Sequence, residues 1–114
     1  MHEFSLAQGL VNQLLTLADL HNAQKICTVR VEIGSQAGIV ADSFAFGFEV
    51  LSRENNLLEN AVLEITETCP RYRCLDCAAI MPFTVPAIPC PQCGSQRLVR
   101  EGGDDLILSQ VEME

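Results

Sequence analysis

The sequence has no tryptophan, a single tyrosine and only seven basic residues against fifteen acidic ones, for a net charge of −8. Gripping a phosphate backbone takes a cationic surface, and stacking on unpaired bases takes aromatic platforms. Both are scarce, so nucleic acid is not an expected partner. No stretch approaches the roughly 18 consecutive apolar residues of a membrane span. The chain start lacks the basic segment and apolar run of a secretory leader, and the expected setting is the cytoplasm. There is no Ser–His–acid order, no phosphate-cradling glycine loop and no open catalytic zinc pattern, so no enzyme is expected. Low-complexity tracts and long internal repeats are absent as well.

What is present fits one ordinary domain, or one domain plus a very small module: 114 residues, 48% of them apolar. Leu6, Leu10, Leu14 and Leu17 recur on one helical face, with Ser5 and Gln8 placed as a capping box, which predicts a helix from about Ser5 to Leu20. Cys27, Val29, Val31 and Ile33 alternate with Thr28, Arg30 and Glu32, predicting a strand closed by Gly34. Asp42 reads as the N-cap of a second helix with Phe44, Phe48 and Leu51 inward, a helix that Gly47 weakens. Two further strands are expected, one over 61–69 and one over 105–112. The expected fold is α+β: two helices on one face of a three-stranded sheet, with a zinc-ribbon module inserted between the second and third strands.

All five prolines (70, 82, 86, 89 and 91) lie within 22 residues. They predict a loop-rich module without helix or central strand. About thirty residues bury too little apolar surface to offset their ordering entropy, so a staple is required. The sequence supplies it as Cys74-Leu-Asp-Cys77 and Cys90-Pro-Gln-Cys93. Two thiolates three positions apart fit one turn around a tetrahedral cation, and a second such turn completes the set. Four thiolates in a closed site suit structural zinc. Disulfides would need an oxidising compartment, a thioredoxin-like pair would need a helix the prolines forbid, and an iron–sulfur centre fits less well. Cys27 and Cys69 share strand parity with apolar neighbours and are expected as buried small hydrophobes. The expected division is 1–69 plus 101–114 for the α/β part and 70–100 for the zinc part.

Met1-His2-Glu3 is a weak motif by pattern alone, since a histidine near a chain start is usually just solvated. Its chemistry is nevertheless specific. Bulky His2 protects Met1 from removal, so the Met1 amine, the His2 backbone nitrogen and the His2 imidazole can close adjoining chelate rings. Three nitrogens in a plane suit Ni(II) or Cu(II), with Glu3 or water as a fourth ligand. His21 reads as a polar residue at the end of the first helix rather than as a ligand.

The Met-His-Glu-x-Ser-Leu start, Val31-Glu32-Ile33-Gly34 with Gly38 and Phe44 to Phe48 downstream, and the two cysteine knuckles occur together in one order. The set resembles the nickel metallochaperones of [NiFe]-hydrogenase maturation, the HypA/HybF family. The resemblance spans nearly the whole chain; Phe4 and Ala78 depart from the family's frequent methionine and glycine. It implies nickel at His2 with Met1 and Glu3 contributing, and zinc at Cys74, Cys77, Cys90 and Cys93. It also implies a nickel-handling GTPase and the hydrogenase large subunit as partners. Two other readings stand beside it. The chain would be a zinc-ribbon protein-interaction adaptor without a nickel role if Arg71, Arg73, Arg97 and Arg100 dock an acidic partner. A homodimer is compatible with the acid-rich tail meeting the basic ribbon of another copy.

Overall fold

The computed structural model describes residues 2–83 and 88–114. The elements run α1 (His2–Leu20), β1 (Ile26–Gly34), α2 (Ala41–Ser52), β2 (Val62–Thr68), β3 (Arg71–Cys74), β4 (Ile80–Pro82), β5 (Leu98–Glu101) and β6 (Leu106–Met113). They form two separate three-stranded sheets. In the first, the order is β2-β1-β6, with β2 parallel and β6 antiparallel to the central β1. The second, β4-β3-β5, is antiparallel throughout and lies in sequence between β2 and β6.

Strand β1 is the spine of the main core because it is paired on both edges and presents Ile26, Val29, Val31 and Ile33 inward. These pack with Ala7, Leu10, Val11, Leu14 and Ala18 of α1, with Phe44 and Phe48 of α2, and with Leu58. Helices α1 and α2 approach closely at Gly47. A Cβ there would stand 3.4 Å from the Ala7 Cβ and 3.5 Å from the Phe4 ring. The mid-helix glycine thus costs helix propensity at a contact that has room for a methyl group but not for a larger side chain.

Four expectations need correction. Helix α1 begins at His2, not Ser5. Glu3 favours the first turn through the helix dipole, and Phe4 packs over Gly47 of α2, so the helix extends back past Ser5. Ser5 and Gln8 thus lie inside the helix, and the Gln8 amide bonds Asn12 Oδ1 at 3.1 Å. Asp42 sits in the first turn of α2, whose N-cap is Val40 without a side-chain capping bond. Cys27 is only half-buried, because a register shift against β6 between Ile26 and Thr28 hands the core position to Ile26. Cys69 is exposed, one residue past the end of β2.

The fourth correction concerns the proline-rich stretch. It contains a central strand, β3, flanked by β4 and β5. The prolines respect the ladder all the same: Pro70 precedes β3, and Pro82 ends the edge strand β4. Arg71 pairs with Glu101, so this small sheet reaches one residue past Arg100. The molecule is elongated, 56 × 29 × 16 Å with a radius of gyration of 18.2 Å; a compact chain of this length would have roughly 13 Å.

At the junction between the sheets, three backbone segments cross with no room for side chains. A Cβ on Gly34 would lie 2.2 Å from the Gly103 carbonyl carbon, and one on Gly103 would lie 2.5 Å from Pro70. The turn after β1 ties both connecting segments down: the Ser35 amide donates to the Thr68 carbonyl (2.7 Å) and the Gln36 amide to the Gly103 carbonyl (2.7 Å).

Candidate metal centre

Each cysteine pair builds the same turn. The Ala78 amide donates to the Cys74 carbonyl at 3.0 Å, and the Gly94 amide to the Cys90 carbonyl at 2.8 Å. One residue on, the strand closes back: the Cys74 amide donates to the Ala79 carbonyl and the Cys90 amide to the Ser95 carbonyl. The residue after the second cysteine must adopt a left-handed backbone. Gly94 does so at φ 78° and Ala78 at φ 63°. The sheet brings the two turns together, because Cys74 ends β3 opposite Leu98 of β5.

The result gathers the four sulfurs within 4.8 Å of one another. Cys74 Sγ and Cys93 Sγ are 3.5 Å apart, and Cys77 Sγ and Cys90 Sγ are 3.8 Å apart. A tetrahedron with metal–sulfur bonds of about 2.3 Å has edges of roughly 3.8 Å, so the cage already has the size for zinc. Cys74 and Cys90 are buried, Cys77 half-buried and Cys93 exposed, with Met81, Tyr72, Ala79 and Leu98 packed around them. Tyr72 stacks on Phe83 at 5.7 Å. With all four sulfurs as ligands, the shell of a tetrahedral ion would be closed and leave no position for substrate chemistry.

The electrostatics favour thiolate at the first cysteine of each turn. The Cys77 amide, helped by that of Asp76 and by the neighbouring sulfurs, outweighs burial and holds Cys74 near 6. The Cys93 and Gln92 amides lower Cys90 in the same way. At Cys77 the Ala79 amide pulls down, but burial and the sulfurs of Cys74 and Cys90 raise the thiol. At Cys93 the Ser95 amide is likewise outweighed, by the Cys74 sulfur, by burial and by the Cys77 and Cys90 sulfurs, and the thiol is pushed up to about 12. A divalent cation bound here would resolve this competition by taking all four as thiolates.

A polar clasp that sequence reasoning missed links the two turns. Asp76, inside the first C-x-x-C, accepts from the Ser95 hydroxyl and from Arg97 Nη1 at 2.9 Å. The Arg97 amide in turn donates to Ser95 Oγ at 2.9 Å. The only signal available was a lone acid in a basic segment. Two other arginines are also taken: Arg73 and Arg71 both pair with Glu101. Among the described residues only Arg100 of the four has no acidic partner.

At the other expected site, Met1 lies outside the described residues. His2 and Glu3 occupy the first turn of α1, and His2 Nδ1 stands 3.7 Å from Glu3 Oε2. The imidazole is largely exposed, and the Glu3 carboxylate is mostly covered beside it. The first amides of a helix have no intrahelical acceptor, which leaves the His2 backbone nitrogen unclaimed by the helix ladder. His21 follows the far end of α1, roughly 28 Å away at about 1.5 Å per residue, in a cleft with Met113 and Glu114. The structure does not bring it to His2.

Comparison with known proteins adds independent findings. A family model described as "Hydrogenase/urease nickel incorporation, metallochaperone, hypA" matches residues 1–113. Proteins named hydrogenase maturation factor HypA from Azotobacter chroococcum and Azotobacter vinelandii are each 39% identical over 114 residues, covering 100% of both chains. A protein of the same name from Beijerinckia indica is 31% identical over 99% of each. Among solved structures, the Ni metallochaperone HypA of Helicobacter pylori superposes with a TM-score of 0.71 at 25% identity, covering 97% of this chain and 96% of that one. A second HypA solution structure superposes with a TM-score of 0.81 at 26% identity, covering 100% and 97%.

Proposed function

From its membership in the HypA family of hydrogenase/urease nickel-incorporation metallochaperones, shown by the match over residues 1–113, we propose that this chain carries Ni(II) on Met1, His2 and Glu3 and hands it on for [NiFe]-hydrogenase maturation. As a metallochaperone it is not an enzyme, and nickel is its cargo. The observation that carries the reading is an exposed imidazole at residue 2, in the first helical turn, with a carboxylate 3.7 Å away. The Met1 amine, the His2 nitrogen and the imidazole supply planar nitrogen donors, and Glu3 adds charge. Glu3 also offsets the positive end of the α1 dipole, which otherwise disfavours a bound cation. The resulting affinity is modest and falls as the amine and imidazole protonate, which suits a carrier that must release its load.

Zinc in the four-cysteine cage is structural in this reading, holding 70–100 as a unit distinct from 1–69 plus 101–114. The partners are a nickel-handling GTPase and the hydrogenase large subunit, and the setting is the cytoplasm; no helix among the described residues is long and apolar enough to cross a membrane. A pure adaptor role draws no support from the ribbon arginines, since three of the four already pair with Glu101 and Asp76.

The test is nickel titration of the untagged protein beside His2→Ala and a variant extended by a few residues before Met1. Both variants should lose stoichiometric nickel uptake while zinc content stays at one equivalent. Nickel binding that survives in either variant would remove the proposed site.

A further inference from the structure

The first sheet has two open edges, and they are not alike. Strand β6 pairs with β1 through two register shifts, and such irregularities twist an edge away from new partners. Strand β2 pairs with β1 from Val62 to Thr68 with no shift, and it contains no proline. Its outer edge is therefore a regular seven-residue template whose alternate amides and carbonyls have no strand beyond them.

A cleft of about 470 Å³ opens beside the start of this edge. Its walls include Ala45, Phe48, Glu49 and Arg53 of α2 and Ala61 and Leu63 at the head of β2. The lining is mixed: Ala45, Phe48, Ala61 and Leu63 are apolar, whereas Glu49, Ser52, Arg53, Glu59 and Asn60 are polar or charged. Glu59 lines the cleft just before β2, and Glu67 is exposed near the end of the strand. The nearby cations are already engaged: Arg53 with Glu49, and Arg30 with Glu64 and Glu112. Glu59 and Glu67 have no cationic partner among the described residues.

The geometry points to β2 as a docking edge for an extended segment of a partner protein, with one side chain seated in the α2–β2 cleft and lysine or arginine toward both ends. Main-chain bonds along the edge supply affinity independent of sequence, the cleft gives one side chain a seat, and Glu59 and Glu67 select positive charge. Acidic extended segments are repelled by the same carboxylates. This surface is separate from the chelating chain start, and its test does not depend on nickel.

The experiment uses the full-length, zinc-loaded protein, isotopically labelled and titrated with the capped hexapeptide Lys-Val-Lys-Val-Lys-Val. The parallel titration uses Glu-Val-Glu-Val-Glu-Val. The lysine peptide should move the amide resonances of residues 59–68 and 45–53 and leave those of 106–113 and 71–101 in place. Glu59→Lys should weaken binding by about tenfold, and Ala45→Phe, which fills the cleft, should weaken it similarly while both variants keep the parent spectrum elsewhere. Nickel stoichiometry should be unchanged in both, which separates failure here from failure of the carrier site. Perturbations spread over the acidic surface, perturbations at the β6 edge, equal binding of the glutamate peptide, or full affinity in Ala45→Phe would each overturn the assignment.

Discussion

Ala78 shows how much one backbone angle matters at the residue scale. It holds φ 63° where its counterpart in the second turn is glycine at φ 78°. A Cβ in the left-handed region costs on the order of 1 kcal/mol, so Ala78→Gly should stabilise the zinc-loaded ribbon by roughly 0.5–1 kcal/mol. Slower zinc transfer to a competing chelator would report the gain; faster transfer would contradict it. Proton balance at the thiols gives a second expectation. Cys74 is held near 6, below neutrality, whereas Cys77 is raised and Cys93 is pushed to about 12. Zinc loading near pH 7.5 should therefore release at least the two protons of Cys77 and Cys93. Because bound thiolate is favoured over thiol, zinc affinity should fall as pH falls, with Cys74 the last of these three to regain its proton, near pH 6. Calorimetry in buffers of different ionisation enthalpy measures the count. The identities of the four cysteines were legible in the sequence because local spacing fixes a turn; the Asp76–Ser95–Arg97 clasp was not, because it joins residues about twenty positions apart.

At the scale of elements, two glycines differ in what they tolerate. Gly47 leaves 3.4 Å between its hypothetical Cβ and that of Ala7, which is ordinary van der Waals contact. Gly47→Ala should thus be neutral or stabilising by up to about 1 kcal/mol through helix propensity. Gly47→Leu should cost about 1–3 kcal/mol by forcing α1 from α2. Gly103 has no such tolerance, since its φ is 73° and Pro70 lies within 2.5 Å of a Cβ. Gly103→Ala should lower stability by about 1–3 kcal/mol, read from the denaturant midpoint, with disturbed amide resonances at Ser35 and Gln36. Periodicity revealed both helices and the three strands of the larger sheet, since side-chain spacing encodes which face is buried. The start of α1 was misplaced because a contact with α2, not a capping side chain, extends it to His2. The parity of β1 slipped at Cys27 because a bulge is a property of a strand pair.

At the scale of the whole molecule, two hydrophobic clusters share a 56 Å long chain but no buried side chain. Around Cys74, Met81 and Cys90 there is little apolar mass, so cohesion there would fall to a bound metal; structural zinc sites provide binding energy on the order of 10 kcal/mol. Removing zinc, or Cys74→Ala, should melt residues 71–101 while α1, α2 and the β2-β1-β6 sheet persist. Because both helices lie outside the ribbon, far-UV circular dichroism should keep its helical signal as amide dispersion over 71–101 collapses. Parallel loss of the helical signal would mean that the two sheets unfold as one.

By itself the sequence determined the elements of the α/β part and the two like cysteine turns, because both follow from spacings of a few residues that a turn or a strand converts directly into geometry. Only the tertiary structure decided that a proline-rich stretch holds a central strand, that Cys69 faces solvent, and that Gly34, Gly103 and Pro70 meet at one crossing. Those features arise between segments distant in the chain, where the energy belongs to packing and strand pairing and no local pattern records it.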